Sequence, residues 1–148
     1  MKIKEEKLIK SRKRVKEFAE VYTPDWLVKD MCDLIPQQEW EKIDSVFLEP
    51  ACGNGNFLVE IFARKLKLCK DERDGLKALN AIIGIDIQED NCIEARERLI
   101  SMYRKAFPSA NDFCLIMAAS IVRARIICGD SLKITEQWAK EKENNNDD

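Results

Sequence analysis

Three short apolar runs, Val46 to Leu48, Ala81 to Ile85 and Arg125 to Cys128, are separated by longer stretches of helical periodicity. This alternation constrains the fold more than any other feature of the chain, because strands spaced by helices are the signature of βαβ units and a parallel sheet. The runs are apolar on both sides of the pleat, Phe47 beside Leu48 and Ile126 beside Ile127, so both sheet faces expect a cover. Right-handed crossovers place both connecting helices on the same face and leave the other bare. The expected class is α/β, with a three-stranded parallel sheet of order 3-2-1.

The intervening segments are read from their periods and caps. Residues 1–20 form a basic arm, eight Lys and Arg against four Glu. In it Leu8, Ser11, Val15 and Phe18 fall at helical spacing, which predicts an amphipathic helix. Its cations suit a solvated face, with phosphate contact as the other use. Thr23-Pro24 predicts a helix entry, Thr23 as N-cap and Pro24 at the first position, with Trp26, Leu27, Met31, Leu34 and Ile35 as the apolar face and Pro36 as the stop. Further helices are expected over 56–70, 90–106, from about 111 to 120, and 132–142. The main domain spans 21–142, and 143–148 is a polar tail expected to be disordered.

Between the first strand and its helix lies Glu49-Pro50-Ala51-Cys52-Gly53-Asn54-Gly55-Asn56-Phe57. A glycine-rich turn here lets a nucleoside approach the backbone at the carboxyl ends of the strands. The third glycine of the dinucleotide fingerprint is replaced by Leu58, which argues against NAD. Glu49 ends the first strand, where it repels a pyrophosphate and attracts an ammonium, favouring S-adenosylmethionine. Asp86 ends the second strand, placed to accept both ribose hydroxyls, with Ile87 beside it to lie on an adenine ring. Gly129-Asp130-Ser131 closes the third, where Asp130 can accept from the adenine amino group. Each carboxylate also has a purely structural use open to it: Glu49 capping the following turn, Asp86 the helix near Asp90, and Asp130 the last helix. Cys52 is not expected to be a nucleophile, since the chain has no histidine to activate it.

The order of these motifs, from Tyr22 to Ser131, resembles the adenine-N6 DNA methyltransferases of restriction–modification systems. Val21-Tyr22-Thr23-Pro24 is similar to the family's motif ahead of the glycine loop, and Pro50-Ala51-Cys52-Gly53 to the core of its cofactor loop. Ile85-Asp86-Ile87 resembles the ribose- and adenine-contacting motif, and Gly129-Asp130-Ser131 the one reaching the adenine amino group. The resemblance implies a partial Rossmann-like methyltransferase fold with an N-terminal helical arm. Its cofactor would be S-adenosylmethionine, with Thr23 on the carboxylate, Glu49 and the loop on the methionine end, Asp86 on ribose and Asp130 on adenine. It also implies DNA as partner. Family members carry an Asn/Asp-Pro-Pro-aromatic tetrapeptide that receives the flipped adenine. This chain has only Pro24, Pro36, Pro50 and Pro108, so it is expected to bind cofactor and fail to methylate. With the family's fourth strand absent, the first strand is an edge. The bare sheet face is expected to be covered by a second copy or a companion subunit.

Two other functions remain open: a non-catalytic methyltransferase-like subunit that binds protein or DNA, and a fragment of an RNA or small-molecule methyltransferase. A formal net charge of -2 provides no global field to recruit nucleic acid. Six cysteines without a C-x-x-C pair, and no histidine, remove the usual zinc spacings, so no metal is expected. Unpaired cysteines in apolar runs suit a reducing compartment, and no apolar run reaches the ~20 residues of a membrane span. The chain is therefore expected to be soluble and cytoplasmic.

Overall fold

The computed structural model describes residues 7–18 and 20–145; residues 1–6 and 19 of the expected arm, and 146–148 of the expected tail, lie outside the described residues. The elements run α1 (Arg12–Phe18), α2 (Asp25–Asp33), α3 (Gln37–Trp40), β1 (Phe47–Glu49), α4 (Asn56–Leu66), α5 (Glu72–Asn80), β2 (Ile82–Asp86), α6 (Glu89–Ala106), α7 (Asp112–Arg125), β3 (Ile126–Cys128) and α8 (Ser131–Asn145). The sheet is parallel throughout and ordered β1-β2-β3, the expected 3-2-1 seen from the other edge. No helix among the described residues is long and apolar enough to cross a membrane.

Strand pairing sorts the side chains onto two faces. Phe47 pairs with Ile82, and Gly84 with both Glu49 and Ile126, so Phe47, Ile82, Gly84 and Ile126 share one face. On it α4 and α6 bury Leu58, Phe62, Cys92, Ala95 and Leu99 in one core with Ile82 and Ile126. The approach is closest at Gly84, where a Cβ would lie 2.8 Å from Leu58 and 3.1 Å from Cys52 Sγ. Ala78 and Leu79 of α5 and Ala118 and Val122 of α7 are buried alongside. Leu48, Ile83, Ile85 and Ile127 form the opposite face. Leu48 is 44% exposed there, Ile83 and Ile127 are half-buried, and only Ile85 is fully covered.

Several elements depart from the sequence-based expectation. Helix α2 begins one residue late, with Pro24 in the cap position at ψ 152° and no side-chain cap, so Thr23 is not its N-cap. Its buried stripe is Val28 and Cys32, facing α4, while Trp26 is 62% and Leu34 84% exposed. The expected 56–70 helix stops at Leu66, and a separate α5 follows, capped by Asp71, which accepts from Asp74 N–H at 2.9 Å. Helix α7 is capped by Asn111 and runs to Arg125, five residues beyond the expected end. Helix α8 runs through Asn145, three residues past the expected helix end at 142.

Lys65 is 1% exposed, yet no carboxylate among the described residues pairs with it. Its Nζ donates to the carbonyls of Lys42 (3.3 Å), Ile43 (2.8 Å) and Ser45 (2.7 Å) and lies 4.9 Å over the Phe47 ring. Burial lowers its pKa below that of a free lysine, against which nearby Asp44 acts only through space. The side chain thereby fixes the segment that delivers β1, and Trp40 stacks on Phe47 with ring centroids 4.6 Å apart.

Gly75 shows why α5 is hard to read from sequence: glycine weakens a helix, but here a Cβ would lie 2.3 Å from the Phe107 ring and 2.9 Å from that of Tyr103. Gly75→Ala is expected to cost about 1–3 kcal/mol by overpacking. Urea denaturation should also show that the cost shrinks in a Phe107→Leu background; equal cost in both backgrounds would remove the steric account.

Candidate ligand cleft

The three strands end side by side, at Glu49, Asp86 and Cys128, and the chain leaving each end borders one cleft of about 610 Å³. Its lining takes in Tyr22, Thr23, Glu49, Pro50, Ala51, Cys52, Gly53, Asn54, Asn56, Phe57, Asp86, Ile87, Asp130 and Ser131, so fourteen of the sixteen expected site residues meet there. Pro24 and Gly55 do not line it. Pro24 is turned into the start of α2, and Gly55 caps α4 with φ 97° while its missing Cβ leaves room for Ala95 at 3.0 Å. Val21 and Gly129, quoted in the motifs, and Phe18 and Met31, expected on apolar helix faces, also line it, with Glu20, Gln88 and Leu132, which sequence reasoning does not single out.

The loop glycines also meet protein neighbours. Gly53 has φ 53°, in the left-handed region that favours glycine, and a Cβ would meet the Tyr22 ring at 3.2 Å. Tyr22 and Ala95 therefore occupy the space that the two glycines open. Cys52 N–H donates to Ile85 O at 2.9 Å, extending the contact between the loop and β2. Burial, with Asp86 nearby, holds the Cys52 thiol well above its usual pKa, a poor state for a nucleophile.

Asp86 joins three segments. Its Oδ2 accepts from Gly53 N–H at 3.0 Å, and its Oδ1 accepts from Gln88 N–H at 2.8 Å and Asn91 Nδ2 at 3.1 Å. It does not cap α6, whose cap position is Gln88. A carboxylate offers about four acceptor directions, so this arrangement leaves about one, on Oδ2, for a ligand hydroxyl where two were expected.

Glu49 and Asp130 are each engaged on one oxygen only. Glu49 Oε1 accepts from Ala51 N–H at 3.1 Å, and Asp130 Oδ1 accepts from Leu132 N–H at 3.0 Å and Lys133 N–H at 3.4 Å at the head of α8. The structural uses open to these two carboxylates are thus both realised, and a second oxygen on each has no protein partner among the described residues. With Glu20, which pairs with Arg14 at 2.7 Å, four carboxylates line the cleft, and no Lys or Arg among the described residues does.

Beneath them lies fully buried Asn91. Its Oδ1 accepts from Tyr22 OH and Lys10 Nζ, both at 2.8 Å, and its Nδ2 donates to Glu20 at 2.8 Å as well as to Asp86. Burial pushes the Tyr22 phenol up to about 12, so it stays a donor across the neutral range. Beside Asn91, Asp90 takes Arg14 in a two-pronged pair (2.6 and 3.0 Å) and Lys10 at 2.9 Å. The arm is therefore fastened by charge and not by the expected apolar stripe, Phe18 being 46% exposed. Lys10 and Arg14 are consumed in these pairs. The only sequence signal for this anchor is the acidic first turn Glu89-Asp90, and nothing in the sequence marks Asn91.

Comparison with known proteins finds no matching family model, no matching curated protein and no matching solved structure.

Arg14, then Lys10, hold the Asp90 carboxyl far below the usual carboxylate range. A depressed carboxylate contributes stability above its unfolded pKa of about 3.9 and loses it as pH falls through the lower folded value. Carboxyl NMR should find Asp90 still ionised at pH about 3, where a free aspartate is largely protonated. At neutral pH, Asp90→Asn should release the arm and make tryptic cleavage after Lys10, Arg12 and Arg14 several-fold faster. A normal Asp90 titration with unchanged cleavage would contradict the anchor.

Proposed function

We propose that these residues form the S-adenosylmethionine-binding region of an adenine-N6 DNA methyltransferase of the restriction–modification type, built on a partial Rossmann-like methyltransferase sheet. The observation that carries this reading is the lining of the cleft: four carboxylates, no cation among the described residues, and the expected motifs converging on one space. Such a lining repels the phosphates of a nucleotide or dinucleotide and attracts the ammonium and sulfonium of S-adenosylmethionine.

The residues suit that cofactor group by group. Glu49 Oε2 would hold the ammonium, and Thr23, beside the Asn56 amide that donates to its carbonyl at 2.9 Å, stands where the resemblance puts the carboxylate. The remaining lone pair of Asp86 Oδ2 would accept one ribose hydroxyl. Ile87, 57% exposed, offers an apolar surface to the adenine ring, and Asp130 Oδ2 an acceptor to its amino group. When bound, the cofactor supplies an electrophilic sulfonium methyl, and these residues bind and orient it. The work of alignment for in-line transfer to an extruded adenine also needs a target-base pocket. The Asn/Asp-Pro-Pro-aromatic tetrapeptide that forms it in the family does not occur in this sequence, so the activity proposed here is binding without transfer. DNA is the proposed partner of the whole enzyme, and the half-covered face around Leu48 is the proposed seat of a second copy or a companion subunit.

Isothermal titration with S-adenosylmethionine should give saturable binding. Glu49→Gln and Asp130→Asn keep the acceptor each side chain uses for the backbone while removing its charge. Each should weaken binding roughly 10- to 100-fold, the equivalent of about 1.5–3 kcal/mol for a hydrogen bond to a charged group. No heat at about millimolar S-adenosylmethionine or S-adenosylhomocysteine, or unchanged affinity in both variants, would overturn the proposal.

A further inference from the structure

On the far side of α6 from the cleft, a groove of about 720 Å³ runs between α6 and α7. Ile93, Ile100 and Val122 give it an apolar floor. Its rim is cationic: Arg96, Arg104, Lys105 and Arg123 stand against a single carboxylate, Glu97. Arg96 is bound to the Ile126 carbonyl, whereas Arg104, Lys105 and Arg123 have no ion pair among the described residues. Phe113 and Ile116 of α7, 68% and 65% exposed, lie outside the groove lining.

A groove between two helices fits a third, and this one asks for apolar anchors flanked by negative charge. The chain itself carries such a helix. Val28 and Cys32 tie α2 to its own core, so the opposite side faces outward with Trp26, Asp30 and Asp33 at successive turns and Leu34 just beyond. Asp33 is bonded to Arg64 at 2.7 Å and still lies 67% exposed. Tryptophan is the residue type most enriched at the centre of protein interfaces.

We propose that the groove between α6 and α7 receives the outward face of α2 from a second copy of the chain, with Trp26 on the apolar floor and Asp30 and Asp33 toward the arginine rim. The two surfaces are different patches of one molecule, so the contact is head-to-tail: it closes into a ring or continues as an open chain. Nucleic acid suits the groove less well, because a phosphate backbone leaves the apolar floor without a partner. The half-covered sheet face is a separate surface, and this contact depends neither on it nor on cofactor binding.

Sedimentation velocity of the full chain should show concentration-dependent self-association that weakens as salt is raised. Trp26→Ala disables the donor face, and Arg104→Glu with Arg123→Glu disables the groove. Each change should weaken association about tenfold or more while circular dichroism stays at wild type. Asp30→Lys gives an independent test of the donor face, with the same expected loss. Mixing the Trp26→Ala and Arg104→Glu/Arg123→Glu proteins is decisive. Each retains one intact half, so the mixture should form a one-to-one heterodimer and no larger species. A wild-type chain that stays monomeric at about 100 µM, well above the micromolar range of modest interfaces, would overturn the proposal. So would association indifferent to these variants, or a mixture that stays monomeric. A 20-base-pair duplex bound by wild type and lost on charge reversal would assign the groove to nucleic acid instead.

Discussion

The carboxylate of Asp86 is the joint on which the cleft depends. One side chain at the end of the central strand accepts from the glycine loop through Gly53, from its own following turn through Gln88, and from α6 through Asn91. Each is a hydrogen bond to a charged acceptor, stronger than its neutral counterpart, and each fixes a different piece of backbone. Through Asn91 the constraint reaches Tyr22, Glu20 and Lys10, so the arm, the loop and two core elements are aligned by one connected polar network. Every donor and acceptor of the Asn91 amide is engaged, so Asn91 itself adds no buried unpaired group, whereas Arg14 Nε at the edge of the network has no partner among the described residues.

The same economy explains how acidic side chains can crowd one cleft. Glu49 and Asp130 each give one oxygen to local backbone N–H groups and keep the other facing the cleft. The backbone donors hold the carboxylates in place and offset part of their mutual repulsion before any ligand arrives. A cationic ligand then completes the charge balance, and an anionic one meets four carboxylates of which only Glu20 has a counterion among the described residues, Arg14 at 2.7 Å.

What the sequence reveals and what it hides divide along physical lines. The three strands, their order and the motif-bearing ends are legible, because buried parallel strands are apolar runs and because turns at strand ends need glycine and polar caps. The second helix of the first crossover is not, since Gly75 reads as a breaker until Phe107 and Tyr103 are seen against it. The outward Trp26 and Leu34 of α2 are equally hidden: a stripe of apolar residues shows periodicity but not which side the core takes, and Val28 with Cys32 wins. Lys65 depends on carbonyls at least 20 residues away, and Asn91, besides nearby Asp86, on Tyr22, Glu20 and Lys10 at least 69 residues away, which no local pattern encodes. The loop glycines are legible as a turn, but not their neighbours in the fold: Tyr22 lies beside Gly53 and Ala95 beside Gly55.

The central claim is that this cleft selects positive charge on a nucleoside. The most direct measurement is a competition in one calorimetric experiment between S-adenosylmethionine and ATP, which share adenosine and differ in the sign of what it carries. The account predicts saturable binding of S-adenosylmethionine that ATP does not displace. Displacement by ATP, or ATP binding with comparable affinity, would contradict it.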